Sequence, residues 1–144
     1  GRNQSRKLNF AGCTYVPTDL IAAWSFVVGK LSILEELSMA LAGVTHIRGV
    51  YSISCLRHLP SSLDTLILGT FFNDSLDWVT LPANLQSLTF GNGFNRSLDG
   101  VNLPNSLQTL TFHGDFNQSL DRVTLPNSLQ TLTFGYRFIQ ALVE

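Results

Sequence analysis

The chain has 144 residues, enough for one ordinary domain with a sizeable core. Charged residues make up 13% and apolar ones 44%, a balance that speaks against disorder. The net charge is −1 and only Arg2, Arg6 and Lys7 cluster, so there is no electrostatic footprint for nucleic acid.

Residues 1–58 form a degenerate N-terminal region. Leu8-Asn9-Phe10, followed by Gly12, has the apolar two-residue step of a short strand. Cys13 and Cys55 lie far apart, match no metal-ligand spacing and read as reduced core thiols. Between Pro17 and Gly43 the pattern predicts a helix over about 18–42, with Thr18 or Asp19 as N-cap and Gly43 as C-cap. Leu31, Leu34, Leu37 and Leu41 make one stripe opposite Glu35 and Glu36, while Leu20 to Val28 is apolar nearly all round. Three readings stay open for this helix: a cap on the repeat core, a membrane or assembly contact through residues 20–42, or an F-box-like helix. Lys30, Glu35 and Glu36 would be costly in lipid, so membrane contact is not favoured. The F-box resemblance rests on Val16-Pro17-Thr18-Asp19-Leu20-Ile21 alone. Leu41, Val44, Val50, Leu59 and Pro60 fall in partial register with the repeat that begins at residue 59, which makes 41–58 a degenerate coil.

From residue 59 the chain repeats itself. Leu-Pro recurs at Leu59-Pro60, Leu81-Pro82, Leu103-Pro104 and Leu125-Pro126, always 22 residues apart, dividing 59–144 into units 59–80, 81–102, 103–124 and 125–144. In the second unit the apolar positions are Leu81, Leu85, Leu88, Phe90, Phe94, Leu98 and Val101, and the other units reproduce them. No single helix or strand satisfies such uneven gaps, but a coil that turns several times points them all inward. The step Leu88-Thr89-Phe90 is the strand-like one. Strands are therefore expected at Thr65–Leu68, Ser87–Phe90, Thr109–Phe112 and Thr131–Phe134, parallel and adjacent. Pro82 must lie outside that sheet, because it has no N–H for the ladder. Gly69, Gly91 and Gly135 end strands, where a turn is easiest without a Cβ, whereas the third unit has His113 there and its glycine at Gly114. Asn73, Asn95 and Asn117 are expected to point inward and bridge coils through their carboxamides, a ladder that Ile139 ends.

These residues resemble the FNIP repeats, a leucine-rich-repeat-like family with the pattern LPxxLxxLxFGxxFNxPL. Leu103-Pro104, Leu107, Leu110, Phe112 and Phe116-Asn117 match it position by position, with Ser75, Ser97 and Ser119 where the family usually has Pro. The fold expected is an α/β repeat: a leucine-rich-repeat-like solenoid with one short parallel strand per 22-residue coil and an N-terminal helical region. The resemblance implies protein–protein interaction and no catalytic residues. It also implies a distribution in amoebae, large viruses and single-celled algae.

Little else in the chain carries chemistry. His46, His58 and His113 have no metal spacing, and nucleophile elbows, Walker loops and dinucleotide fingerprints are missing, so no enzyme activity, cofactor or metal is expected. Asp77, Asp99 and Asp121 would stack about 4.8 Å apart on successive coils. Calcium could use such a stack, but each Asp follows Ser-Leu in the same local setting, and a turn N–H is the commoner partner. Asn3, Asn73, Asn95 and Asn117 open N-x-Ser sequons. A glycan on an inward Asn could not be accommodated, which favours an intracellular protein, cytoplasmic or organellar, over a secreted one.

The function expected is a non-catalytic scaffold or adaptor that binds protein through its exposed sheet face or the loops after the strands. Candidate contact residues are Thr70, Phe71, Trp78, Asn92, Asp115, Tyr136 and Arg137, where the units differ within a fixed register. The alternative is a structural accessory subunit of a larger complex, membrane-bound or not, for example a photosynthetic one. The opening Gly and a fourth unit that stops short at Glu144 suggest a piece of a longer chain, with something further covering the last coil.

Overall fold

The computed structural model describes residues 6–9, 44–50, 56 and 59–140. The expected 18–42 helix lies outside these residues, as do Cys13, Cys55, His58 and Asn3. Six strands form one parallel sheet in chain order: β1 (Arg6–Asn9), β2 (Val44–Val50), β3 (Thr65–Leu68), β4 (Ser87–Phe90), β5 (Thr109–Phe112) and β6 (Thr131–Thr133). The β3, β4 and β5 bounds are those the repeat predicts. β6 stops one residue early, at Thr133 rather than Phe134, and pairs on one side alone among the described residues.

Each coil is a strand followed by tight turns. Leu85 N–H donates to Pro82 O at 3.1 Å, Phe94 N–H to Gly91 O at 3.3 Å and Val101 N–H to Leu98 O at 3.0 Å, and most of these turns recur in the other coils. This corrects the α/β expectation: the described coils hold strands and turns, without an α-helix. A 22-residue circuit that must reverse at Pro, at Gly and at Ser-Leu-Asp has no uninterrupted stretch for helical turns.

Alternation in the strands divides the sheet. Leu66, Leu88 and Leu110, with Leu68, Phe90 and Phe112, face inward and are buried. Inside, the phenylalanines form two interlocked columns. Phe90, Phe112 and Phe134 stack at 5.0 and 5.6 Å between centroids, while Phe72, Phe94, Phe116 and Phe138 stack at 6.2, 6.0 and 6.0 Å. The columns touch within a coil, as at Phe112–Phe116, 3.9 Å apart. A 22-residue period places identical rings one strand spacing apart, so offset stacking follows from the repeat itself.

Two expectations from the spacing need correction. The glycines after the strands are not there for turn geometry, since Gly69, Gly91 and Gly135 are absent from the positive-φ residues. They allow neighbouring coils to approach: a Cβ on Gly69 would lie 2.9 Å from Val50 O, and one on Gly91 would overlap the backbone of Gly69. The alignment expected for the degenerate coil also differs from the one observed. Val44 and Val50 do not occupy the places of Leu66 and Phe72; Ile47 pairs with Leu66 and Val50 with Leu68. That offset includes a bulge at Gly49, whose φ is 75°.

Candidate functional site

The Asn ladder exists, on the outside. Asn73 Oδ1 accepts from Asn95 N–H at 2.9 Å, Asn95 Oδ1 from Asn117 N–H at 2.9 Å, and Asn117 Oδ1 from Ile139 N–H at 3.1 Å. The carboxamides bridge coils as expected, but Asn73 and Asn95 are exposed and Asn117 half-buried, so the inward placement is wrong. Apolar residues fill the interior, and the coil edge is the place where backbone N–H groups need an acceptor. The steric conflict with glycans at these sequons disappears with that correction. In the Ser-Leu-Asp turns, the backbone N–H of Asp77, Asp99 and Asp121 donates to the hydroxyl of Ser75, Ser97 and Ser119 at 3.3, 3.0 and 3.1 Å. The turn is the one expected, with serine rather than aspartate as acceptor. All three Asp residues are exposed, and among the described residues no acidic, His or Cys group is arranged to hold a metal.

The exposed side of the sheet is a surface of short polar side chains. Thr65, Ser87, Thr109 and Thr131 form one row across the strands; Arg48, Ile67, Thr89, Thr111 and Thr133 form the next. Toward the strand ends the face dips into an open groove of about 490 Å³. Glycines 49, 69 and 91 leave its floor without side chains. Arg48 stands at one end, His113 at the other, and Ile67, Thr70, Thr89 and Asn92 lie between. None of the described lining residues is acidic. Among the described residues Arg137 pairs with Asp115 at 3.3 Å and His46 Nδ1 lies 3.7 Å from Asp64 Oδ1, an ion pair only when the imidazole is protonated, while exposed Arg48 has no described carboxylate partner.

The candidate contact residues divide among three places. Thr70 and Asn92 line the groove. Asp115, Tyr136 and Arg137 form a cluster on the last two coils, where Arg137 pairs with Asp115 and lies 5.9 Å from the centre of the Tyr136 ring. Phe71, 82% exposed, sits in the column that continues as Gly93, Asp115 and Arg137, and Trp78, 57% exposed, lies seven residues farther round its coil. Sequence reading missed Arg48 as a surface residue, because the misaligned register hid its equivalence to Ile67 and Thr89. The signal was present in Ile47, an apolar residue flanked by His46 and Arg48.

Comparison with known proteins agrees with this architecture. The family model for the FNIP repeat matches at residues 56–93, 72–115, 94–137 and 116–143. The chain belongs to the FNIP-repeat family. Among solved structures it is similar to the circular leucine-rich-repeat protein CroV588, at 40% identity and a TM-score of 0.62. That match covers 70% of this chain and 15% of CroV588. No curated protein matches the FNIP-repeat chain.

Proposed function

We propose that the chain is a non-catalytic interaction module that docks another protein on its exposed sheet face and on the loops after its strands. The observation that carries this reading is variation on a constant frame. Backbone bonds recur coil after coil, such as Gln108 N–H to Gln86 O and Gln130 N–H to Gln108 O, both 2.8 Å. The residues just beyond the strands change each time: Thr70-Phe71, Asn92-Gly93, Gly114-Asp115, Tyr136-Arg137. Exposed Phe71, Tyr136 and Trp78 are residue types that anchor interfaces. The accessory-subunit alternative draws on the helix expected over 18–42 and on the family's distribution, and nothing in the described coils supports it. No helix among the described residues is long and apolar enough to cross a membrane.

Photo-crosslinking amino acids at Phe71, Thr111 and Tyr136, with Asn105 and Asn127 as controls on the Leu-Pro turns, test the reading in source extract. Crosslinks to one protein from the sheet side alone are expected; equal labelling from all positions, or none, overturns it. Intracellular localisation is part of the proposal and no longer rests on buried sequons. Mass spectrometry of native peptides bearing Asn73, Asn95 and Asn117 decides it, because a glycan mass would place the protein in the secretory route.

A further inference from the structure

We infer that the groove between Arg48 and His113 binds an extended acidic segment of the partner protein, one carboxylate meeting the Arg48 guanidinium and a second acidic group lying near His113. The inference rests on the interaction-module reading and names the chemistry of its partner.

The groove is framed by two departures from the repeat. At one end the Gly49 bulge breaks the register of β2 immediately beside Arg48, and bulges commonly re-aim a side chain. At the other, His113 stands where Gly69 and Gly91 stand in the preceding coils, and raises a wall at the end of a floor that glycine keeps low. Departures from a local rule concentrate where a fold carries function.

The lining between these ends has the chemistry an extended acidic peptide requires. Arg48 offers a planar fork suited to a carboxylate. With no acidic residue in the described lining, none of those residues competes for it. Two carboxylates on the coils beside the groove are engaged, Asp64 by the Thr65 hydroxyl and Asp115 by Arg137. Ile67, 37% exposed, supplies an apolar contact on a face made largely of polar side chains. Thr70, Thr89 and Asn92 carry side-chain donors and acceptors for a peptide backbone. From β2 to the end of β5 is three strand spacings, about 14 Å, which an extended peptide covers in about four residues. The spacing of the two acidic groups is therefore part of the inference.

The test uses the whole 144-residue chain labelled with nitrogen-15 and synthetic peptides with two glutamates in a Gly-Ser-Leu background, their separation varied from adjacent to well beyond four residues. Saturable shifts are expected at the Arg48 side chain and the Gly91, Asn92 and His113 amides. Affinity should peak near a four-residue separation, weaken as ionic strength rises and fall about tenfold or more when glutamine replaces glutamate. Arg48→Gln and Ile67→Glu, both at exposed positions, should each abolish the glutamate preference while the core spectrum stays unchanged. Asn127→Ser, exposed on a Leu-Pro turn away from the groove, should leave binding as it was. Equal binding of the glutamine peptides, or Arg48→Gln without effect, overturns the inference. Inorganic phosphate moving the same signals as strongly also overturns it, in favour of a free-anion site. If the peptides fail while crosslinks from Phe71 and Tyr136 persist, the groove assignment falls and the interaction-module reading stands. If both fail, both fall.

Discussion

The middle coils and the last described coil contain nearly the same side chains in very different surroundings. Phe94 and Phe116 are fully buried, whereas Phe138, at the equivalent place, is half-buried; Leu88 and Leu110 are buried and Leu132 is not. The hydrogen bonds that frame the coil hardly change, since Phe138 N–H reaches Gly135 O at 3.2 Å much as Phe94 N–H reaches Gly91 O at 3.3 Å. Within-coil ring contacts are also alike, 3.8 Å at Phe134–Phe138 against 4.1 Å at Phe90–Phe94. The coil builds its own geometry, and its neighbours exclude the water. Stability in such a stack is accordingly a sum of repeat terms and interface terms, with an end coil holding fewer of the latter.

The largest expected effect tests that division directly. Phe94→Ala removes a ring stacked between Phe72 and Phe116 and should cost about 3–5 kcal/mol, measured by chemical denaturation. Phe138→Ala, in the half-buried coil, should cost less than half as much. Equal costs would mean that the last coil is as well covered as the middle ones. Gly91→Ala comes next: its Cβ would meet Gly69 backbone, which cannot yield as a side chain would, so a loss of about 1–3 kcal/mol is expected. Gly100→Ala, with open space but a φ of 78°, should cost roughly 1–2 kcal/mol. A larger loss at Gly100 than at Gly91 would show that backbone conformation outweighs coil contact.

The Asn ladder gives a smaller effect. Asn95 accepts from both Asn117 N–H and Gln118 Nε2, and Asn95→Ala should cost about 0.5–1.5 kcal/mol, with faster hydrogen exchange at the Asn117 amide. No change in that amide would show that water replaces the carboxamide without loss. Arg137→Gln should be the mildest, within about 1 kcal/mol, because both partners of the ion pair are well exposed. A greater loss would mean that the cluster with Tyr136 and Asp115 braces the last coil rather than decorating it.

The sequence by itself determined the repeat and therefore the coil. Leu-Pro every 22 residues, with the Leu-Thr-Phe step at a constant offset, leaves one way to bury every apolar residue, and three strands fall on the residues so derived. Periodicity does this because it samples each position four times. Side-chain direction at the coil edge was not legible, since Asn73, Asn95 and Asn117 satisfy backbone groups equally well from an inward or an outward position. Nor was the register of β2. Its coil is met once, its bulge at Gly49 absorbs a residue that no pattern announces, and Arg48 pairs with Ile67 immediately before that bulge. The groove likewise exists in the stack alone: Gly49, Gly69 and Gly91 form its floor through close approach of successive coils, and Arg48 and His113 frame it from positions 65 residues apart in the chain. Tertiary structure decided the site because a groove across strands is a property of neighbours, and a repeat pattern describes one coil at a time.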